Sequence, residues 1–304
     1  MRVSVILPTH NPDAGRLRRT LAGLAQQTLP ASEWELLLID NASSPAVDVA
    51  LPPNGRIARE PQVGLTWARR RGFNEAAADV AILVDDDNVL APDYLAAALS
   101  AFERLPPVGL LGGRSLPEFE TAPPEWTREF HPLLAVRDLG AEPRISKGLR
   151  PAGSARNEYP LYAPIGAGMA LRRAAWQAWI NRGHIALTDR RGAELTSGGD
   201  NDIVLSAMAA GWEVAYLPGL SLTHLIPSGR LQPDYLGRLN YGIQKSWMQV
   251  LRLHEANPWP PLSRLGARLR KAKAWGTCRP WRSLAARVRW QGARGHFDGR
   301  VLAA

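Results

Sequence analysis

The chain has a single cysteine, Cys278, among 304 residues. One thiol cannot build a disulfide framework or a cysteine zinc site within one chain, so the fold depends on a hydrophobic core. Apolar residues make up 45% of the sequence, which is typical of a globular protein. This length predicts one large α/β domain or two smaller ones.

Long hydrophobic runs are also lacking. No window approaches about 18 uncharged apolar residues, so the sequence predicts no transmembrane helix. The N-terminal residues 1–8 carry one charge and too short an apolar run for a signal peptide. We therefore expect a cytoplasmic protein, in agreement with its low cysteine content.

Several common catalytic motifs do not occur. The sequence has no phosphate-binding P-loop, no His-Glu-x-x-His zinc signature and no Gly-x-Ser-x-Gly elbow. Gly166-Ala167-Gly168 begins like a dinucleotide fingerprint, but Leu171 stands at the third glycine position. These absences argue against P-loop nucleotidases, zinc proteases, α/β-hydrolases and dinucleotide-binding enzymes.

Acidic residues are scarce in the C-terminal tail. Residues 264–304 hold 11 of the 37 Lys and Arg residues but one of the 28 Asp and Glu residues, which leaves the remainder near neutrality. A nucleic-acid enzyme more often carries basic charge around its active cleft. The charge distribution therefore predicts that the protein does not bind nucleic acid and that the tail forms a separate basic surface.

Apolar strands alternate with amphipathic helices in the first hundred residues. Strands are predicted at 3–7, 35–39 and 81–84, and helices at 15–27, at about 65–78 and from Pro92 onward. This alternation predicts βαβ units and a mostly parallel, Rossmann-like sheet flanked by helices. Ligands of such sheets bind beyond the carboxyl ends of the strands.

Three consecutive aspartates, Asp85, Asp86 and Asp87, directly follow the apolar run 81–84. Carboxylates this close raise one another's pKa, so a cation is expected among them. Oxygen ligands favour Mg²⁺ or Mn²⁺, and Mg²⁺ usually shares its shell with substrate phosphates. The triplet predicts a metal-assisted enzyme that acts on a diphosphate substrate.

The second half is less regular. Residues 114–163 are rich in Pro, Glu and Arg and predict an irregular insertion. Strands are then predicted at 165–171 and 212–216, a glycine-rich turn at 197–202 leads into a helix over 202–210, and an extended run at 220–223 precedes His224. We predict a domain over 1–226, which contains the insertion at 114–163, and a helical basic extension over 227–304.

Four blocks, in order, resemble the inverting nucleotide-sugar glycosyltransferases of family 2, which have the GT-A fold. They are 5–11, 38–43, 64–87 and the set formed by 166–169, 199–202 and His224. The resemblance covers roughly residues 3–226. It implies sugar transfer from a nucleotide-diphospho-sugar, with a UDP-sugar favoured, to a saccharide or lipid-linked acceptor in cell-surface polysaccharide or glycolipid synthesis. It also implies that the insertion at 114–163 is the acceptor region.

The resemblance assigns the donor to residues of the first three blocks. Asp40 matches the position that contacts the nucleotide base, although an aspartate after a strand also suits a turn. Arg69 matches an arginine near the phosphates, within the run 69–71 where three arginines compete for the role. The donor-binding set implied is Pro8, Thr9, Asn11, Asp40, Arg69, Asp85 and Asp86.

The metal ligands implied are Asp85, Asp87 and His224, with Mg²⁺ or Mn²⁺ as the ion. Asp85 and Asp87 match the outer members of the family's DxD motif. Asp86 can substitute for either neighbour if the motif is shifted by one residue, and a histidine after a strand is also commonly structural.

The base implied for the acceptor hydroxyl is Asp200, with Asp202 as its competitor. Asp200 matches the aspartate of the family's Glu-Asp motif, but Gly199 occupies the Glu position. An aspartate here also suits a helix N-cap.

Two other functions fit parts of the pattern. A sugar-phosphate nucleotidyltransferase would show a glycine-rich, Arg-containing loop after the first strand, whereas residues 8–12 read Pro-Thr-His-Asn-Pro. A non-catalytic saccharide- or membrane-binding protein of the same fold is the third reading, because the Glu-Asp block is altered.

The tail has amphipathic patterns rich in basic residues. Leu262, Leu265 and Leu269 recur at helical spacing among arginines and lysines, as do Trp281, Leu284 and Val288. Basic amphipathic helices with Trp are typical of membrane-surface elements. We expect residues 262–290 either to bind an anionic membrane surface on the inner face of the cell membrane or to pack on the domain.

Overall fold

A computed structural model of the chain describes residues 1–146, 148–151, 154, 156–183, 189 and 195–301. The strands are β1 (Val3–Thr9), β2 (Trp34–Asn41), β3 (Gly55–Glu60), β4 (Val80–Leu83), β5 (Asn88–Leu90), β6 (Val108–Phe119), β7 (Arg144–Ser146), β8 (Ala170–Arg172) and β9 (Glu213–Ile226). The α-helices are α1 (Ala14–Ala25), α2 (Leu65–Glu75), α3 (Tyr94–Arg104), α4 (Arg173–Ile180), α5 (Gly199–Ala209), α6 (Pro233–Leu253), α7 (Arg264–Cys278) and α8 (Leu284–Gly299).

Within the described ranges, all nine strands belong to one sheet, in the order β3-β2-β1-β4-β8-β6-β9-β5, with β7 paired to β9. The pairs β3/β2, β2/β1, β1/β4 and β6/β9 are parallel. The short β8 is antiparallel to both β4 and β6 and joins the two parallel halves. The predicted mostly parallel α/β sheet is confirmed.

The sheet is buried on both faces because its strands are apolar at consecutive positions. In β2, Leu36 and Leu38 belong to one core cluster, with α1 and α3, whereas Leu37 and Ile39 belong to the other, with α2, α4 and α5. Such continuous apolar runs are typical of parallel sheets covered by helices on both sides. Polar side chains therefore gather beyond the strand ends.

The segment predicted to be irregular over 114–163 starts later than expected. Residues 114–119 continue β6 and pair with β9 in parallel. Their proline and charged residues concealed this strand, which lies at a partly exposed end of the sheet. Beyond it, residues 125–134 form a 3₁₀ segment and 144–146 form β7, so the insertion is only partly irregular.

Three further boundaries differ from the predictions. The two extended runs at 212–216 and 220–223 are one strand, β9, and His224 lies inside it. The predicted strand 165–171 is mostly a loop that ends in β8. The helix predicted from residue 202 begins at Gly199, which places Asp200 in its first turn. The strand β3 was missed because Gly55–Glu60 is half polar.

The C-terminal helices pack onto the rest of the protein. Leu236 and Leu239 of α6 and Val288 of α8 share an apolar cluster with Phe130 and Ile226 from the preceding region. Helix α7 packs against α8. No helix in the described part of the chain is long and apolar enough to span a membrane.

Candidate active site

A cleft of about 430 Å³ opens at the carboxyl ends of β1 and β4. Most of the predicted site residues line it: Pro8, Thr9, Arg69, Asp85, Asp86, Asp87, Asp200 and His224. Pro8, Thr9 and the three aspartates lie at the ends of β1 and β4. Arg69 lies on α2, Asp200 on α5 and His224 on β9. The parallel topology thus gathers groups that are far apart in sequence.

The central carboxylate of the triplet is tied to the first strand. The hydroxyl of Thr9 donates a short hydrogen bond to Oδ2 of Asp86. Burial, followed by the charge of Asp87, raises the pKa of Asp86 to about 6, and the Thr9 bond only partly opposes this shift. The ionised form of Asp86 is therefore disfavoured near neutral pH, and a cation in the cleft would stabilise it.

Asp87, His224 and Arg230 form a compact cluster. Nη2 of Arg230 lies 2.8 Å from Oδ2 of Asp87, and His224 Nε2 lies 3.4 Å from Oδ1 of the same carboxylate. Nη1 of Arg230 is also 3.2 Å from His224 Nε2. Burial opposes the charge of Arg230, but Asp87, together with Tyr235 and the other two aspartates of the triplet, outweighs this effect and raises the arginine pKa, so the guanidinium stays charged.

The residues in the cleft have the chemistry of a divalent-cation site. Carboxylate oxygens suit Mg²⁺ or Mn²⁺, and an imidazole nitrogen is a common ligand of transition-metal ions. Nδ1 of His224 is buried and has no hydrogen-bond partner among the described residues. Within that part of the chain, however, no group of three or more His, Cys, Asp or Glu side chains is arranged to hold an ion. The guanidinium of Arg230 contacts Asp87 and His224, the side chains that a metal ion would use as ligands.

Gly166 brings a basic and an acidic group together. Its backbone N–H donates to Oδ2 of Asp200 at 3.0 Å. A side chain at this position would collide with the guanidinium of Arg69, whose Cζ lies 3.3 Å from an ideal Cβ. Arg69 is 4% exposed, and its Nε has no hydrogen-bond partner among the described residues. The glycine therefore lets Arg69 and Asp200 approach the same part of the cleft.

A buried carboxylate supports Asp200 from behind. Asp189 accepts hydrogen bonds from the N–H groups of Gly198 and Gly199 at 2.8 and 2.5 Å, at the start of α5. Burial, followed by the charge of Asp200, raises the pKa of Asp189 to about 6, against the opposing effect of Arg69. Asp189 thus fixes the helix turn that carries Asp200.

Two residues predicted for donor binding do not line the cleft. Asn11 has a positive φ of 47° and links two loops: its N–H donates to Oγ of Ser43, and its Oδ1 accepts from Ser44 N–H. Asp40 is 2% exposed and accepts hydrogen bonds from the N–H groups of Ser43 and Val47. Although burial opposes it, these bonds lower the pKa of Asp40. The contacts match the turn role weighed for Asp40, and its contact with a base stays a prediction.

The structure separates the two candidates for the base. Asp202 accepts hydrogen bonds from Trp179 Nε1 and His254 Nε2, both at 2.7 Å, and does not line the cleft. Asp200 lines the cleft. The geometry favours Asp200, and its role as base stays a prediction.

Several residues of the site were not found from the sequence. No sequence motif includes Arg230, Asp189 or Tyr235, which line the cleft. Residues 132–135 also line it and lie in the segment predicted to be irregular. The only available signal for Arg230 was its position six residues after His224, in a turn rich in Gly and Pro.

Comparison with known proteins gives these residues a context. The model of the family described as glycosyl transferase family 2 matches residues 4–179. The glucosyl-dolichyl phosphate glucuronosyltransferase of Haloferax volcanii is 23% identical over 148 residues, 46% of this chain and 47% of that protein. The succinoglycan biosynthesis protein ExoW of Rhizobium meliloti is 34% identical over 113 residues, 34% of each chain. The chain spans about half or less of the length of these curated relatives.

Solved structures share the fold at low sequence identity. A GalNAc-T7 structure with UDP, GalNAc and Mn²⁺ has a TM-score of 0.54 and 16% identity, covering 83% of this chain and 48% of that one. S. aureus TarS 1–349 in complex with UDP has a TM-score of 0.50 and 15% identity, covering 99% and 90%. The fold expected from the resemblance, GT-A, is confirmed.

Proposed function

Because the chain belongs to glycosyl transferase family 2, we propose that it is an inverting glycosyltransferase of polysaccharide or glycolipid synthesis. It would move a sugar from a nucleotide-diphospho-sugar to an acceptor hydroxyl. The observation that carries the proposal is that the aspartate triplet and Asp200 line one cleft, with Arg69 beside Asp200. A UDP-sugar is the proposed donor, because both structures compared above contain UDP.

The donor diphosphate is proposed to lie between the triplet and Arg69. The guanidinium of Arg69 offers a fork of donors that matches phosphate oxygens, and Arg69 lines the cleft. Pro8 and Thr9 form the cleft wall at the end of β1 and hold Asp86 in place through the Thr9 hydroxyl. The donor thus meets groups from three separate segments of the chain.

Asp85, Asp87 and His224 are the residues that would hold a divalent cation. When bound, Mg²⁺ or Mn²⁺ neutralises negative charge that develops on a nucleoside diphosphate leaving group. Arg230 contacts both Asp87 and His224, so it must withdraw from these atoms for a cation to reach them. Arg230 remains charged and offsets the triplet until then.

Asp200 is proposed to take the proton from the acceptor hydroxyl. Inversion needs one base on the side opposite the leaving group, within hydrogen-bond reach of the hydroxyl. The bond from Gly166 N–H fixes one carboxylate oxygen of Asp200 at 3.0 Å and leaves Oδ1 for the acceptor. Helix α5 and Asp189 keep this carboxylate at the cleft.

The test compares Asp200→Asn with the wild type in Mn²⁺ and a panel of UDP-sugars. A general base contributes about 10²–10⁴-fold, so the variant should lose that much turnover while binding UDP with unchanged affinity. Asp79→Asn, at a side chain that is 93% exposed, is the matched control and should retain full turnover. Proton NMR of the transferred sugar should show inversion; retention of configuration, or undiminished turnover of Asp200→Asn, would contradict the proposal.

We also propose that the basic tail holds the enzyme at an anionic membrane, on its cytoplasmic side. Leu265 and Leu269 of α7 are 66% and 64% exposed, and Trp281 is 60% exposed, among exposed arginines and lysines. Leu262 and Val288 instead face the protein, so the tail both packs on the domain and presents an apolar, basic face. Each nearby basic residue adds about 1 kcal/mol of attraction to anionic lipid.

Point variants test this face without disturbing α8, which packs on α6. The double variant Leu265→Glu/Leu269→Glu should sediment with phosphatidylserine vesicles at least about ten-fold less than the wild type, since two apolar contacts of about 1.5–3 kcal/mol each are lost. Leu161→Glu is the control, because Leu161 is 88% exposed and lies outside the tail. Equal sedimentation of all three proteins would refute membrane binding through α7.

A further inference from the structure

A second and larger cavity lies between α6 and α8. Its volume is about 790 Å³, and it is separate from the triplet, Arg69 and Asp200. Pro233, Gly237, Tyr241 and Lys245 mark one face of α6 along the cavity, and Arg287, Gln291 and Arg294 mark one face of α8. We call this cavity the basic groove.

Among the residues that the structure describes, four cations line the basic groove against one carboxylate. The cations are Arg238, Lys245, Arg287 and Arg294, and the carboxylate is Asp234. Asp234 is paired with Arg287 at 3.1 Å, and both side chains are more than half exposed, so this pair screens little of the charge. The groove therefore has a surplus of positive charge that no other residue of its lining offsets within the described ranges of the chain.

One of these cations is held in position by its neighbours. The guanidinium of Arg294 lies over the rings of Trp290 and Tyr241, at 4.9 and 5.7 Å from their centroids, and its Nη1 donates to Oε1 of Gln291. A guanidinium oriented in this way keeps its remaining donors for a ligand. Arg238 and Lys245 stand on the opposite wall, on α6.

The geometry points to a binding site for the phosphate group of a lipid-linked acceptor in the basic groove. Phosphate matches the forked donors of arginine, and two walls of cations suit a dianion. This inference rests on the proposed function, and it names the acceptor class that the transferase takes. It adds a site on the acceptor side, outside the donor cleft.

The groove adjoins the place where the sugar would be transferred. Leu195 lines both the groove and the donor cleft. Helix α6 separates the two, with Leu239 and Ile243 facing the cleft and Tyr241 and Lys245 facing the groove. A saccharide attached to a phosphate in the groove can thus extend past Leu195 toward Asp200.

The exposed apolar face of the tail favours a lipid as the carrier of the phosphate. On α8, Leu284 lies one turn before Arg287 and is 44% exposed. The face of α8 that lines the groove therefore begins beside the apolar surface of Leu284 and Trp281. A lipid chain leaving the phosphate would meet this surface and then the membrane.

The experiment titrates the full chain with farnesyl phosphate, and with farnesol, inorganic phosphate and a hexuronate oligosaccharide as comparisons. The groove variant is Arg238→Gln/Lys245→Gln, which removes two cations that make no ion pair in the described part of the chain. The matched control is Arg18→Gln/Arg104→Gln, which removes two cations at exposed positions outside both the groove and the basic tail. A second groove variant, Arg294→Gln, covers the opposite wall.

Farnesyl phosphate should bind the wild type and the control equally, and each groove variant should weaken it by about ten-fold or more, as expected for charge-assisted hydrogen bonds. Farnesol should not bind detectably, and inorganic phosphate should bind weakly and compete. Undiminished binding of farnesyl phosphate to both groove variants would overturn the site. Tighter binding of the hexuronate, lost in the same variants, would overturn the lipid phosphate in favour of an acidic saccharide.

A UDP titration of the same proteins separates this site from the donor cleft. The groove variants should keep the wild-type affinity for UDP, because their residues do not line that cleft. If no protein binds UDP, the proposed function fails whatever the groove does. If UDP binds normally and the groove variants do not discriminate farnesyl phosphate, only the groove assignment fails.

Discussion

Two alanine substitutions, two residues apart, should separate the assembly of the site from the stability of the fold. An alanine Cβ at position 166 would lie 3.3 Å from Cζ of Arg69, closer still to Nη2, and 3.5 Å from Oδ2 of Asp200. Gly166 has no positive φ, so its backbone accepts alanine. The alanine therefore displaces the guanidinium end of the Arg69 side chain.

Gly168→Ala meets a different obstacle. Gly168 has a φ of +74°, and its Cβ would lie 2.6 Å from Oη of Tyr94, which donates to the carbonyl of Gly168 at 2.6 Å. Alanine there strains the backbone and breaks a buried hydrogen bond. We expect a loss of about 2–4 kcal/mol in the free energy of unfolding, from strain of about 1 kcal/mol and an unsatisfied buried group.

Gly166→Ala should instead change the free energy of unfolding by less than about 1 kcal/mol. Moving the Arg69 guanidinium removes charge-assisted hydrogen bonds to the donor phosphates of about 1.5–3 kcal/mol, so the Kd for UDP should rise about 10- to 150-fold. Urea unfolding and calorimetry with UDP measure the two quantities. Gly219→Ala, which meets no atom within 4 Å, is the control. Unchanged UDP affinity in Gly166→Ala would refute the role assigned to Arg69.

Three further predictions concern buried charges. Asp202→Asn should cost about 1–3 kcal/mol of stability, because the amide has one acceptor oxygen for Trp179 and His254 where the carboxylate has two, yet leave turnover per folded molecule near wild type. Asp189 has a folded pKa of about 6, above its ordinary value of 3.8, so its stabilising contribution is complete at low pH and is lost as pH rises through 6. At about 1.4 kcal/mol per pKa unit, the wild type should lose on the order of 3 kcal/mol relative to Asp189→Asn over this interval. Arg230→Met should tighten Mn²⁺ binding without nucleotide about ten-fold, because it removes the guanidinium from Asp87.

Each of these three predictions has its own measurement and its own contradicting result. Turnover of Asp202→Asn is compared with that of Asp200→Asn, and a larger loss in Asp202→Asn would make Asp202 the base. Urea unfolding from pH 4 to about 7 tests Asp189, with Asp79→Asn as the surface control; a stability difference that is constant with pH would exclude a raised pKa. Electron paramagnetic resonance of free Mn²⁺ tests Arg230, and weaker binding in Arg230→Met would show that the arginine supports the ion.

The sequence predicted those parts of the site that follow directly from a strand or a helix start. Asp85–Asp87 follow an apolar run, and their position at the carboxyl edge of a parallel sheet needs no knowledge of other segments. Asp200 follows a glycine-rich turn into a helix in the same way. Both line the cleft, as local pattern and sheet topology together required.

Residues brought in by tertiary packing could not be predicted. Arg230 reaches Asp87 because β9 delivers the following turn to the cleft, a consequence of long-range pairing with β6 and β5. Asp189 caps a helix that begins ten residues later, and no periodic pattern marks it. The strand at 114–119 was concealed because an exposed strand end tolerates proline and charge. The pattern of apolar residues predicts which positions are buried. These features depend instead on contacts with residues that are far away in the sequence.

Anomalous scattering from a crystal grown with UDP and Mn²⁺ would locate both the metal ion and the donor in the cleft. We expect one manganese peak at Asp85, Asp87 and His224, with the UDP diphosphate between the triplet and Arg69 and with Arg230 withdrawn from Asp87. A diphosphate in the cleft with Arg230 still bonded to Asp87 and no manganese peak would contradict the metal assignment. UDP bound anywhere else would contradict the donor site itself.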